Sequence, residues 1–209
     1  MTYQPSFDKY RARSEMNLNI PNLLTLFRIA AVPLIIAIYM ADVKFGHWYC
    51  TILFTLAGIS DALDGYLARR WNQTSSVGAF LDPVADKLLV VLLLVLVLSD
   101  AGVTSAVMVP ALFKVAILVI VAREIIISAL REWMAELGQR SAVAVSGLGK
   151  WKTTAQMIAI GALLFQKPLL GLPTLMIGEL LIYVAAAITF WSMVIYFVAA
   201  SKVVEIESK

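Results

Sequence analysis

The sequence predicts an all-α, polytopic membrane protein, a bundle of six transmembrane helices preceded by a short N-terminal interfacial segment. Composition is the first reason: of 209 residues, 61% are hydrophobic and 15% charged, with a mean hydropathy of +0.85, more apolar sequence than a soluble core requires. The apolar residues also come in runs of about 20 or more, enough to cross a bilayer of about 30 Å at about 1.5 Å per residue. Short segments holding most of the charge separate these runs.

Residues 1–18 carry Asp8, Lys9, Arg11, Arg13 and Glu15 without a long apolar run. No cleavable signal peptide is expected there, and the first span inserts the chain. This arm reads as a helix lying on the membrane through Tyr3, Phe7, Tyr10 and Met16, or as an unstructured tail. The first span is expected over Pro21–Met40, with Pro33 as a candidate kink. Asn22, Thr25 and Arg28 form a polar stripe near its start, and Arg28 either snorkels to the interface or lines a site. A connector from Asp42 to His47 leads to the second span, Trp48–Leu67. His47, Trp48 and Tyr49 read as an interfacial aromatic belt.

A polar loop over residues 71–77 precedes the third span, from Gly78 to Leu98. The connector Ser99–Ser105 then leads to a fourth segment, Ala106–Leu137, too long for one crossing. Its far end is expected to project as an amphipathic helix with Arg123 and Arg131 on one face, Glu124 beside a basic partner, and Lys114 near the opposite interface. A basic linker, residues 138–152, opens the fifth span with Lys150 and Lys152. The sixth covers Thr174–Ala200, and residues 202–209 form a polar tail.

With six spans, both termini lie on one side. That side receives Lys9, Arg11, Arg13, Arg69, Arg70, Arg140, Lys150, Lys152, Lys202 and Lys209, against Lys44 and Lys167 opposite, so it is predicted to be cytoplasmic. The net charge of +3 then reports orientation and contact with membrane lipids, with no nucleic-acid partner expected. Cys50 is the single cysteine, which excludes an internal disulfide. Residues 19–201 read as one membrane domain between a cytoplasmic arm, 1–18, and a cytoplasmic tail, 202–209.

The stretch from Asp61 to Asp86 breaks the apolar pattern. Asp61 and Asp64 are three residues apart, Asp82 and Asp86 four, so each pair shares a helix face. An ionised carboxylate near hydrocarbon costs about 2.5–3.5 kcal/mol on insertion scales, so four together require positive charge among them. If the pairs converge on neighbouring antiparallel helices, their oxygens suit a hard divalent cation such as Mg²⁺ or Mn²⁺. No Cys or His lies nearby to favour zinc. Taken singly, Asp82-Pro83 also reads as a helix N-cap with proline at the first position, and Asp64-Gly65 as a turn.

The spacing D-x2-D-G-x2-A-R-x8-G-x3-D-x3-D, here Asp61, Asp64, Gly65, Ala68, Arg69, Gly78, Asp82 and Asp86, resembles the signature of the CDP-alcohol phosphotransferases. That resemblance implies attack of an alcohol on the lipid-side phosphorus of a CDP-linked donor, with release of CMP and two Mg²⁺ or Mn²⁺ ions per site. It implies metal binding by Asp61, Asp64, Asp82 and Asp86, with Asp86 as general base and Asp82 beside it. Asn22, Thr25, Gly65, Ala68, Arg69 and Gly78 would bind CDP-diacylglycerol, whose tails would lie in a groove open to the bilayer.

Residues 122–156, A-R-E-I-I-I-S-A-L-R-E-W-M-A-E-L-G-Q-R-S-A-V-A-V-S-G-L-G-K-W-K-T-T-A-Q, resemble the corresponding part of bacterial phosphatidylglycerophosphate synthases, with Leu148 and Trp151 as departures beside Gly149-Lys150. The implied acceptor is sn-glycerol 3-phosphate, its phosphate held by Arg28, Arg123, Arg131, Lys150 and Lys152, whose donors suit a phosphate monoester. A homodimer in the bacterial cytoplasmic (inner) membrane is implied as well. The alternatives are the same chemistry with another acceptor, as in a cardiolipin or phosphatidylinositol-phosphate synthase, or a divalent-cation transporter. Acids confined to one membrane face and the absence of an internal repeat argue against transport.

Overall fold

Hydrocarbon offers backbone N–H and C=O groups no water, so apolar runs close their hydrogen bonds internally as helices. The computed structural model describes residues 20–71, 76–139 and 148–207 and places them in six long helices and one short one: α1 (Ile20–Met40), α2 (Gly46–Trp71), α3 (Ser76–Ser99), α4 (Ala101–Ala106), α5 (Pro110–Glu136), α6 (Leu148–Phe165) and α7 (Thr174–Glu207). The expected N-terminal arm, residues 1–18, lies outside the described residues. Ile20–Met40, Gly46–Leu67 and Thr174–Val203 are long and apolar enough to cross a membrane. α3 and α5 have comparable length but carry Asp82, Asp86 and Lys87, and Lys114, Arg123 and Glu124. The chain is an all-α integral membrane protein.

Several boundaries differ from expectation. α3 begins at Ser76 and runs through Pro83, so Asp82 is an interior residue and not an N-cap. α2 continues through Asp64-Gly65 to Trp71, which removes the turn reading. The connector after Ser99 contains α4, capped by Asp100, whose carboxylate accepts from the N–H groups of Gly102 and Val103. α5 starts at Pro110, four residues later than expected. α6 starts at Leu148, within the expected linker, and α7 extends through the expected tail to Glu207.

The largest core cluster draws Ile35 from α1, Phe54 from α2, Leu93 from α3, Phe113 from α5, Leu163 from α6 and Ile182 from α7. A second joins Ile127, Leu130 and Met134 of α5 to Tyr196 and Ala200 of α7. Leu34, Ile52, Leu118, Val184, Phe190 and Trp191 point outward and exposed, an apolar perimeter of the kind that faces lipid. α1 packs on both α2 and α3, α6 on α2 and α7, and α5 on α7. At the α6–α7 contact a Cβ on Gly178 would lie 2.8 Å from Leu163 Cγ and 3.2 Å from the Ala159 carbonyl oxygen. Glycine there lets the two backbones approach.

Two polar knots, one partly buried and one built on a fully buried carboxylate, tie the end of the bundle at Met40. Tyr39 donates to Asp100, and Gln166 donates to both the Tyr39 hydroxyl (2.6 Å) and Asp100 (3.2 Å). Partial burial pushes the Asp100 carboxyl up, but the donors from Tyr39, Val103, Gly102 and Gln166 outweigh it and hold the group below the usual carboxylate range. Glu179, fully buried on α7, accepts from the N–H groups of Met108 (2.9 Å) and Val109 (3.2 Å) and from the Tyr183 hydroxyl. A carboxylate at the start of α5 also faces the positive end of that helix. Replacing Glu179 by Leu strands these donors and should cost about 2 kcal/mol, read as a lower thermal midpoint in detergent micelles. Glu179→Gln, which keeps one acceptor oxygen, should lose less.

Candidate active site

The buried face of α1 comprises Pro21, Asn22, Thr25, Arg28, Ala31, Val32 and Ile35, a single stripe at three- and four-residue spacing. Its upper half is apolar and joins the core, while its lower half carries the polar side chains. Those side chains meet the aspartates. The two acidic pairs therefore do not come together by direct packing of α2 on α3 alone; α1 packs on both helices and links them.

Arg28 is the link. It is 0% exposed, which rules out snorkelling, and its guanidinium pairs with Asp61 Oδ1 at 3.0 Å through Nη1, with Asp86 Oδ1 through the same nitrogen, and with Asp64 Oδ2 through Nη2. Thr25 brings in the fourth acid: its hydroxyl donates to Asp82 Oδ1 at 2.7 Å, with Asp64 Oδ2 at 3.4 Å and the Pro21 carbonyl at 3.2 Å beside it. The Asp64 side chain is 6% exposed and forms the floor, whereas those of Asp61 and Asp86 are 50% and 51% exposed. The site is open on one side and sealed below.

Counted formally, four carboxylates against one guanidinium leave an acidic excess among these side chains. The donors are hard oxygens with no sulfur or imidazole, and so fit a divalent cation by type and by charge. As placed, Arg28 fills the space between them, and among the described residues no three acid, His or Cys side chains are close enough to hold one ion. Arg28 holds one oxygen each of Asp61, Asp64 and Asp86, so a cation seated among these acids would share carboxylates with the guanidinium.

The remaining expected site residues divide into three groups. Asn22 is buried on the α1 stripe and Gly78 is buried near the start of α3, while Gly65 follows Asp64 on α2. Arg123 and Arg131 lie on α5. Arg123 pairs with Glu124 at 3.0 Å, and Arg131 donates to the Tyr196 hydroxyl at 3.2 Å with its guanidinium 5.4 Å from the Tyr196 ring centroid. The side chains of Ala68, Arg69, Lys150 and Lys152 lie outside the described residues. Lys87, absent from the sequence expectations, donates to Ser128 of α5. The signal for it was present, a lysine directly after Asp86 at the head of an unbroken apolar run.

An apolar cavity of about 740 Å³ runs between α2 and α6, lined by Ile52, Thr55, Ile59, Met157 and Ile158 among others, from Trp48 to Ala62.

Removing the guanidinium strands Asp64 in particular. Arg28→Met should lose about 3 kcal/mol of stability, and Mg²⁺ should restore more of the thermal midpoint to the variant than it adds to the wild type. Equal stabilisation of both by Mg²⁺ would show that cation and guanidinium do not share carboxylates.

The family model for CDP-alcohol phosphatidyltransferases matches residues 18–191, which include both acidic pairs and the α1 stripe. Proteins named CDP-diacylglycerol–glycerol-3-phosphate 3-phosphatidyltransferase are similar over most of their length. The one from Haemophilus influenzae is 47% identical over 87% of this chain and 92% of its own. Those from Sodalis glossinidius and Escherichia coli K12 are 49% and 47% identical, each over 88% of this chain and 96% of their own. Members of this family are generally dependent on divalent metal. The chain belongs to the CDP-alcohol phosphatidyltransferase family.

Proposed function

We propose that this protein transfers the phosphatidyl group of CDP-diacylglycerol to sn-glycerol 3-phosphate, giving phosphatidylglycerophosphate and CMP. The observation that carries this reading is the convergence of Asp61, Asp64, Asp82 and Asp86 on Arg28 and Thr25 at one open end of the bundle. Similarity to relatives named for this reaction, at 47–49% identity, supplies the choice of acceptor.

The chain's own groups account for each requirement of the transfer. The hydroxyl oxygen of glycerol 3-phosphate attacks the phosphorus that carries diacylglycerol, the new phosphorus–oxygen bond forms as the bond to CMP breaks, and the hydroxyl proton passes to Asp86. Asp86 suits this role because it is half exposed while Arg28 fixes its position. Asp61, Asp64, Asp82 and Asp86 would hold two Mg²⁺ or Mn²⁺ ions, whose charge would neutralise the diphosphate and make the attacked phosphorus more electrophilic. Gly65, Ala68 and Gly78 give the cytidine close access to backbone, with Asn22, Thr25 and Arg69 at its polar groups. The α2–α6 cavity is lined by side chains that accommodate acyl chains.

The acceptor phosphate is assigned to Arg123, Arg131, Lys150 and Lys152. Arg28, buried under the carboxylates, acts on the acceptor only through them. In this reading the six long helices are six spans, residues 1–18 and 202–209 flank the membrane domain, the site opens to the cytoplasm of a bacterial inner membrane, and the protein works as a homodimer.

CMP release from CDP-diacylglycerol micelles tests the proposal. Release should require glycerol 3-phosphate, stop on chelation and resume with Mg²⁺ or Mn²⁺; metal-dependent release with inositol 1-phosphate or phosphatidylglycerol in its place would overturn the acceptor assignment. Asp86→Asn should reduce turnover by about a hundredfold or more with the bundle still folded, as read by an unchanged thermal midpoint.

A further inference from the structure

A lysine at the head of a run as apolar as L-L-V-V-L-L-L-V-L-V-L is expensive unless something compensates it. Lys87 directly follows Asp86, so their Cα atoms are about 3.8 Å apart, and it stands at the cluster end of that run. Yet it does not pair with the cluster. Among the described residues the ion pairs are those of Arg28 and Arg123, and Lys87 instead donates across to the neutral hydroxyl of Ser128 on α5. An ammonium has three donors, and one hydroxyl neither satisfies them nor balances the charge.

Ser128 and Arg131 are three residues apart, on one face of α5. Arg131 shows the same feature: its partner is the neutral Tyr196 hydroxyl, it is in none of the ion pairs among the described residues, and its Nε is buried without a partner there. Arg123 differs, since Glu124 neutralises it. Two partly buried cations, Lys87 on α3 and Arg131 on α5, are thus held by neutral groups; Ser128 and Arg131 are one turn apart on α5, and Lys87 is next in sequence to the carboxylate that receives the acceptor's proton. Such an arrangement is preorganised for a dianion arriving from water, because nothing anionic has to be displaced.

We propose that Lys87, oriented by Ser128 and acting with Arg131, binds the phosphate of the acceptor and selects phosphorylated acceptors over uncharged ones. The proposal deepens the acceptor assignment above and rests on it. It adds a residue from α3, so that a single helix carries the base at Asp86 and a phosphate anchor at the next position. That places the acceptor's two ends relative to one another: the phosphate lies toward α5 and the reacting hydroxyl over Asp86.

The test uses the full-length protein in detergent with Mg²⁺, measuring initial rates of CMP release while each substrate is varied in turn. Lys87→Met should raise the apparent KM for glycerol 3-phosphate roughly tenfold to a hundredfold, the range of one charge-assisted hydrogen bond. The KM for CDP-diacylglycerol should stay the same. Lys87→Arg, which keeps the charge, should recover most of the affinity, and Ser128→Ala should raise the same KM by a smaller factor; these two conservative variants carry the test even if Lys87→Met does not accumulate.

A fall in kcat with both KM values unchanged would move Lys87 to the tuning of Asp86 and overturn the proposal, as would equal increases in both KM values. A wild type that uses glycerol 3-phosphate while Lys87→Met, Lys87→Arg and Ser128→Ala keep its KM removes Lys87 alone. A wild type that transfers only to a phosphate-free acceptor removes the acceptor assignment, and this proposal with it.

Discussion

Arg28 and its carboxylates set the arrangement of the first three helices. A fully buried guanidinium alone would be prohibitively desolvated, and so would Asp64 beneath the cluster; each is tolerable only because the other is there. Such a pair adds little net stability over well-packed apolar side chains, since Coulomb attraction is spent against desolvation. What it supplies is registry. Arg28 reaches Asp61 and Asp64 on α2 and Asp86 on α3 only when both helices sit at one height against α1, and Thr25 fixes Asp82 in the same layer. A slip of one turn, about 5.4 Å, would leave buried charges without partners. Apolar contacts above this layer tolerate such a slip far better.

The parts of this fold that depend on spacing within one helix were legible in the sequence. Asp61 with Asp64, and Asp82 with Asp86, share faces by arithmetic, and apolar runs of bilayer length announce helices whatever they pack against. Partners across helices were not legible in the same way. The need for a positive charge among the aspartates followed from electrostatics, but nothing local indicated that Arg28, 33 residues before Asp61 by sequence number, would provide it. The span expected from Gly78 already placed Pro83 inside a helix, and α3, formed from Ser76, sets aside the alternative of a helix start at Asp82-Pro83. Glu179 gave no local hint of its partners, because these are backbone amides at the head of α5, more than 60 residues earlier and invisible to any reading of side chains.

The two ends of the bundle treat buried charge in opposite ways, and the contrast locates the chemistry. Near Met40, Asp100 is met by Tyr39, Gln166 and two backbone amides, and Glu179 by two amides and a tyrosine hydroxyl. These are carboxylates whose acceptor capacity is used by the protein itself.

At the other end the accounts are left open in both signs. The aspartates outnumber their guanidinium, while on the α5 side Lys87 and Arg131 are steadied by neutral groups. These opposite excesses do not cancel by collapsing on one another, because α1 fixes the acids and Ser128 and Tyr196 hold the cations away. Cations held by neutral partners beside an acidic excess break local rules of charge satisfaction, a pattern expected of a functional site. A donor diphosphate with its cations on the acidic side, and an acceptor phosphate on the basic side, would balance both excesses at once. The reacting hydroxyl would then lie between them, over Asp86, so the charge imbalance that makes the empty site costly also orients the two substrates toward each other.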